Sequence, residues 1–122
     1  MKTILLSALL LISIDAVYIY LTSSLFQKTI LSIQGSPLQM NIYGAILCYA
    51  CLVLGLNYFI LNAKKGVMDA FILGIVIYGV YEGTNLAILK KWPTYVVVMD
   101  TLWGGTLFAL TTYIIQNFKL FK

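Results

Sequence analysis

The sequence predicts an all-α polytopic membrane protein, an antiparallel bundle of four transmembrane helices. Three observations carry this reading. Of 122 residues, 61% are hydrophobic and only 10% charged; four apolar stretches are each long enough to cross a bilayer; and the last two connections between them are too short to hold anything but a turn. A soluble domain carries about 25% charged residues, and a small one leaves much of its surface in water. The charges present here are too few to cover such a surface. A mean hydropathy of +0.96 places the chain in the membrane class before any single residue is weighed.

A spanning helix needs about 20 mostly apolar residues. The first candidate covers residues 3–25. Its start, "MKTILLSALLLISIDA", has the lysine, apolar run and small residue of a signal peptide. The apolar character continues through "VYIYLTSSLF", and Asp15 would flank the scissile bond, so the span is expected to be retained. The connection "FQKTILSIQGSPLQM" has room for structure of its own, with Gly35 and Pro37 as breakers. The second span covers residues 41–61, the third 67–89 and the fourth 94–116. "NAKKG" and "KKWP" join them as tight hairpins, and Pro93 suits a first helical turn, where its missing N–H costs nothing. No soluble domain or low-complexity tract interrupts the series, so residues 1–122 read as one membrane domain.

The net charge of +4 comes from eight lysines, without arginine or histidine. On a membrane protein such an excess reports topology and attraction to anionic lipid headgroups, not nucleic acid. Four spans put Lys2, Lys64, Lys65, Lys119 and Lys122 on one side and Lys28, Lys90 and Lys91 on the other. Five against three favours both termini in the cytoplasm. Tyr43, Tyr58, Trp92, Tyr95 and Tyr113 are expected in the interfacial belt. The lack of histidine removes the commonest metal ligand and acid–base group. Cys48 and Cys51 have no second pair to complete a zinc site and read as small packing residues. No metal and no cofactor is expected.

The four acids carry the functional information. Asp69 lies beside Lys64 and Lys65 at the start of the third span, where a negative charge favours a helix N-terminus. Asp15, Glu82 and Asp100 lie deeper. At about 1.5 Å per residue they sit roughly 18, 22 and 21 Å from the termini side of a core about 30 Å thick. An acid at that depth costs about 2.5–3.5 kcal/mol on insertion scales. Three acids at one level therefore imply a polar centre facing the bundle interior, in which protons are shared or water is met. Polar glue between helices is the structural counterpart of this reading, but uncharged Ser, Thr or Asn would serve for it.

The neighbours extend that centre. Tyr78, Tyr81, Glu82 and Asn85 follow one helical face. Asp100 shares a stripe with Trp103 and Gly104, and Asp15 with Tyr18 and Thr22, so each acid is expected to find a donor one turn away. Gly79 and Gly83 form G-x-x-x-G beside Glu82, and Gly104–Gly105 flatten the fourth span; small residues let helices approach in lipid. "IDAVY" and "MDTLW" form a short internal echo on helices of opposite direction, the arrangement of inverted repeats in transporters. The candidate binding or proton-relay residues are Asp15, Tyr18, Tyr78, Tyr81, Glu82, Asn85, Asp100 and Trp103, with no catalytic set.

The stretch "YGVYEGTNLAILKKWPTYVVVMDTLWGG" resembles the closing half of the domain of unknown function 2177 family, small integral membrane proteins. The family pattern, approximately Y-G-x-Y-D-x-T-N-x-A-x-L-x-x-W-P then V-D-x-x-W-G, is matched by Tyr78, Gly79, Tyr81, Thr84, Asn85, Ala87, Leu89, Trp92, Pro93, Asp100, Trp103 and Gly104. Glu82 stands for the usual aspartate, and Tyr18 for the tryptophan of the first helix's L-D-x-x-W. The resemblance implies four membrane helices and assigns no activity. From the residues, the leading expectation is a subunit that transports or conducts protons, a cation or a small solute, working as a homo-oligomer because one four-helix bundle leaves little room for a pore. The alternatives are an enzyme or binder for a lipid or isoprenoid-like ligand, with Glu82 and Asp100 as acid and base, or an accessory or assembly subunit. No nucleophile–base pair or phosphate loop supports the enzyme, so the protein is expected not to be one.

Overall fold

The computed structural model describes residues 2–36 and 41–118. Pro37, the end of the first loop, Lys119 and Lys122 lie outside the described residues, so part of the lysine pattern that set the orientation lies there too. The architecture is helical throughout: α1 (Lys2–Gln34), α2 (Ile42–Leu56) continued by a π-helical turn (Asn57–Leu61), α3 (Val67–Ile88) and α4 (Thr94–Phe118). All four are long and apolar enough to cross a membrane. The protein is an integral, multi-pass membrane protein.

Helix α1 runs beyond the expected end of its span, continuing to Gln34. The polar residues of "SSLFQKTILSIQ" are compatible with helix, and the stop comes where Gly35 takes φ 74, the left-handed conformation that ends helices. Asn41 caps α2, its side-chain oxygen accepting from the Tyr43 N–H at 3.0 Å and the Gly44 N–H at 3.3 Å. Past Leu56 the ladder shifts by one residue, with the Asn62 N–H donating to the Asn57 carbonyl at 2.7 Å and the Lys65 N–H to the Ile60 carbonyl at 2.8 Å. Each tight hairpin contains a left-handed lysine, Lys64 (φ 57) and Lys91 (φ 65). Pro93 directly precedes α4 and its carbonyl accepts from the Val97 N–H at 3.3 Å.

Two sets of contacts mark the ends of the bundle. At one end the Gln116 side chain donates to the Lys65 carbonyl at 2.7 Å and Asn57 donates to Ser7 at 2.8 Å, joining the start of α1, the α2–α3 turn and the end of α4. At the other end lie the α3–α4 turn and Trp92. The core between them is built from Leu11, Leu52, Leu56, Ile60, Leu61, Ala70, Leu107, Phe108 and Ile115. Large apolar side chains such as Leu5, Leu9, Leu47, Leu54, Val76 and Val80 point outward, as lipid as solvent permits.

The helices α3 and α4 meet at glycine, at the expected Gly104–Gly105 but not at Gly79 and Gly83. A Cβ on Gly74 would sit 2.2 Å from the Gly104 carbonyl oxygen and 2.9 Å from the Gly105 Cα. At Gly104 a Cβ would meet the Tyr78 ring at 2.2 Å, and at Gly105 the Phe71 side chain at 2.8 Å. Around Gly83 nothing lies within 4 Å of such a Cβ, and at Gly79 only ordinary contact with Thr101 occurs at 3.8 Å. Gly74 with Gly104–Gly105, not Gly79 with Gly83, brings the two backbones together.

Candidate functional site

Asp15, Glu82 and Asp100 all face the bundle interior, 6%, 0% and 6% exposed. Each is held by donors from a different element. The Trp103 indole N–H donates to Asp15 Oδ1 at 2.8 Å and the Tyr49 hydroxyl to Asp15 Oδ2 at 2.5 Å. The Tyr18 hydroxyl donates to Asp100 Oδ1 at 2.9 Å, and the Trp92 indole N–H to Glu82 Oε1 at 2.8 Å. Tyr18 and Trp103 stack face to face, with centroids 4.6 Å apart and planes 2° from parallel.

These bonds correct the expectation of a donor one turn along the same helix. Side chains one turn apart point the same way from the axis, so they lie side by side and do not aim at each other. The donors instead cross between helices. Asp15-x-x-Tyr18 on α1 and Asp100-x-x-Trp103 on α4 run antiparallel, and the aromatic residue of each motif binds the acid of the other. The echo between "IDAVY" and "MDTLW" therefore has a structural expression: a reciprocal pair of acid–aromatic clamps with their rings stacked between them.

Glu82 completes the arrangement. It is fully buried, with the Trp92 indole on Oε1 and no hydrogen-bond partner on Oε2. The observed contacts run from Asp100 through Tyr18, the Tyr18–Trp103 stack and Asp15 to Tyr49, with the Trp92–Glu82 pair as a second buried unit. All four helices and the α3–α4 turn contribute.

The structure thus brings together Asp15, Tyr18, Glu82, Asp100 and Trp103. Tyr78 lies against Gly104 at the edge of this group, packed on the apolar core. Tyr81 does not join it: its side chain is exposed on the outer face of α3. Asn85 is half-buried and makes no side-chain hydrogen bond to Glu82. Tyr81 is about 100° of helical turn from Glu82 and Asn85 about 60° short of it, whereas the buried stripe of α3 recurs every four residues through Ala70, Gly74 and Glu82.

Two participants were not singled out from sequence. Tyr49 lay in an apolar span with no acid of its own, although a tyrosine buried at mid-membrane needs a partner for its hydroxyl. Trp92 read as a belt residue, yet it is 6% exposed and turned inward onto Glu82. Tyr43, Tyr58, Tyr95 and Tyr113 do point outward. Asp69 sits exposed in the first turn of α3. Among the described residues no group of three or more acidic or cysteine side chains is placed to hold a metal ion, and both cysteines are free and exposed.

The model of a protein family described as predicted membrane protein (DUF2177) matches residues 1–116. No curated protein matches the chain, and no solved structure does.

Proposed function

The chain belongs to the DUF2177 family of predicted membrane proteins, and from that footing we propose that it transfers protons through its buried carboxyl network, alone or coupled to a cation or small solute. The observation that carries this reading is Glu82: a fully buried carboxyl with one oxygen held by Trp92 and the other without a hydrogen-bond partner. Ionisable groups at mid-membrane mark proton relays and ion pathways by default.

The division of labour follows from donor chemistry. A phenol both donates and accepts, a carboxyl does either according to its proton, and an indole only donates. Glu82, Asp100 and Tyr18 form one proton-holding group, and Asp15 with Tyr49 forms another. Trp92 and Trp103 cannot relay a proton; they fix the carboxyl at each end. Movement between the two groups has to pass the Tyr18–Trp103 stack, through entering water or a shift of the rings.

Purified protein in liposomes loaded with a pH-sensitive dye tests this. An imposed pH gradient is expected to collapse faster than in empty vesicles, with Glu82→Gln and Asp100→Asn slowing it to the empty rate and Asp69→Asn leaving it unchanged. Wild type indistinguishable from empty vesicles under proton, sodium and potassium gradients would overturn the reading.

A further inference from the structure

A cleft of about 560 Å³ separates α1 from α2 and its π-helical turn, lined by Ile4, Ala8, Ile46, Tyr49, Ala50 and Asn62 among others. We propose that this cleft seats one acyl chain of an anionic phospholipid from the leaflet on the termini side.

The shape argues for a chain. Along α2 the lining runs from Ile46 to Asn62, about 24 Å at 1.5 Å per residue. Spread over that length, the volume makes the cleft a long, narrow groove. An extended hydrocarbon chain matches a groove of these proportions. The walls are apolar along most of their length, and the volume lies within the usual range for ligand sites, about 300–1,000 Å³.

The local structure explains why the cleft stays open. The π turn widens the end of α2, and Asn57 ties it to α1 through the bond to Ser7 while also donating to the Val53 carbonyl at 2.8 Å. That polar tie fixes the spacing without filling it. Ala8 and Ala50 leave the middle of the cleft hollow.

Charge selects the headgroup. The cleft ends at Asn62, and Lys64 and Lys65 follow directly, both exposed. Lys64 adopts φ 57, which turns the chain sharply at this point. Asp69, one turn into α3, offsets part of this positive charge and leaves a net excess. A basic pair at the headgroup level attracts anionic lipid. At its inner end the cleft reaches Tyr49, the donor to Asp15, so the tail of the bound lipid touches the carboxyl network. The lipid site itself does not depend on proton transfer.

Native mass spectrometry of the protein released from micelles doped equally with dioleoyl phosphatidylglycerol and dioleoyl phosphatidylcholine tests the proposal. Wild type is expected to retain one phosphatidylglycerol per chain in preference. Lys64→Gln with Lys65→Gln should lower that preference about thirtyfold, at roughly 1 kcal/mol for each lysine. Ala50 is exposed within the cleft, so Ala50→Phe fills it from the open side and should reduce retention of both lipids severalfold. Ala87→Phe, on the outer face of α3, should change nothing. Circular dichroism establishes that each variant is folded. Equal retention of the two lipids by wild type, unchanged retention in Ala50→Phe, or an equal loss in Ala87→Phe would overturn the proposal. A dimer that Ala50→Phe dissolves without lipid release would assign the cleft to a second copy and overturn it as well.

Discussion

Helices α3 and α4 pack backbone to backbone, whereas α1 and α2 stand apart across a cleft and are joined mainly by polar side chains. On the first pair, Gly74 lies on Gly104 and Gly105 with no room for a methyl group. On the second, the ties are Asn57 to Ser7 and, deeper in, Tyr49 to Asp15. In lipid, where apolar burial gives little net drive, close van der Waals contact and interhelical hydrogen bonds are the two available means of association. This molecule uses one on each side. The close-packed pair carries the buried Glu82 and Asp100; the looser pair joins Asp15 to Tyr49 while leaving space that lipid can enter.

If the glycine contact is the rigid half, crowding it should have the largest effect. Gly74→Leu drives a side chain into the α4 backbone and is expected to cost about 3 kcal/mol or more, read as a lower midpoint of denaturant unfolding in micelles by circular dichroism. Next should come the acid that joins the two halves. Asp15→Ala leaves the Tyr49 hydroxyl and the Trp103 N–H without their acceptor and should cost about 2–3 kcal/mol, with Asp15→Asn recovering part of it. Trp92→Phe keeps an aromatic ring but removes the N–H to Glu82 and leaves a small cavity in place of the larger indole, for about 2 kcal/mol in the same unfolding measurement. The smallest effect belongs to Gly83→Ala. Its Cβ meets nothing, so the change should be within about 0.5 kcal/mol of neutral, or slightly stabilising from better helix propensity. A Gly83→Ala loss as large as that of Gly74→Leu would reverse the assignment of which glycines carry the contact.

Much of this was legible in the sequence because the bilayer imposes it. Span length, hairpin turns and the shared depth of Asp15, Glu82 and Asp100 all follow from a fixed rise per residue and a fixed hydrocarbon thickness. What sequence spacing does not contain is the rotation of each helix about its axis. Tyr81 lies one residue from Glu82 and points to lipid, while Tyr49, on a helix with no acid, reaches across to Asp15. Trp92 looked like a boundary marker because it adjoins two lysines; the left-handed turn at Lys91 sends its ring inward instead. Only the D-x-x-aromatic echo hinted at the cross-helix clamps, and its meaning needed the antiparallel placement of α1 and α4.

The chain has two tryptophans, and each indole N–H is assigned to a different acid, Trp92 to Glu82 and Trp103 to Asp15. A nitrogen-15 NMR spectrum of the indoles in micelles therefore contains two reporters. Both should be protected from exchange with solvent, with Glu82→Gln moving the Trp92 resonance and Asp15→Asn the Trp103 resonance, each without the other. Indoles that exchange freely, or that ignore both substitutions, would contradict a layer of inward-facing acids gathered by aromatic donors.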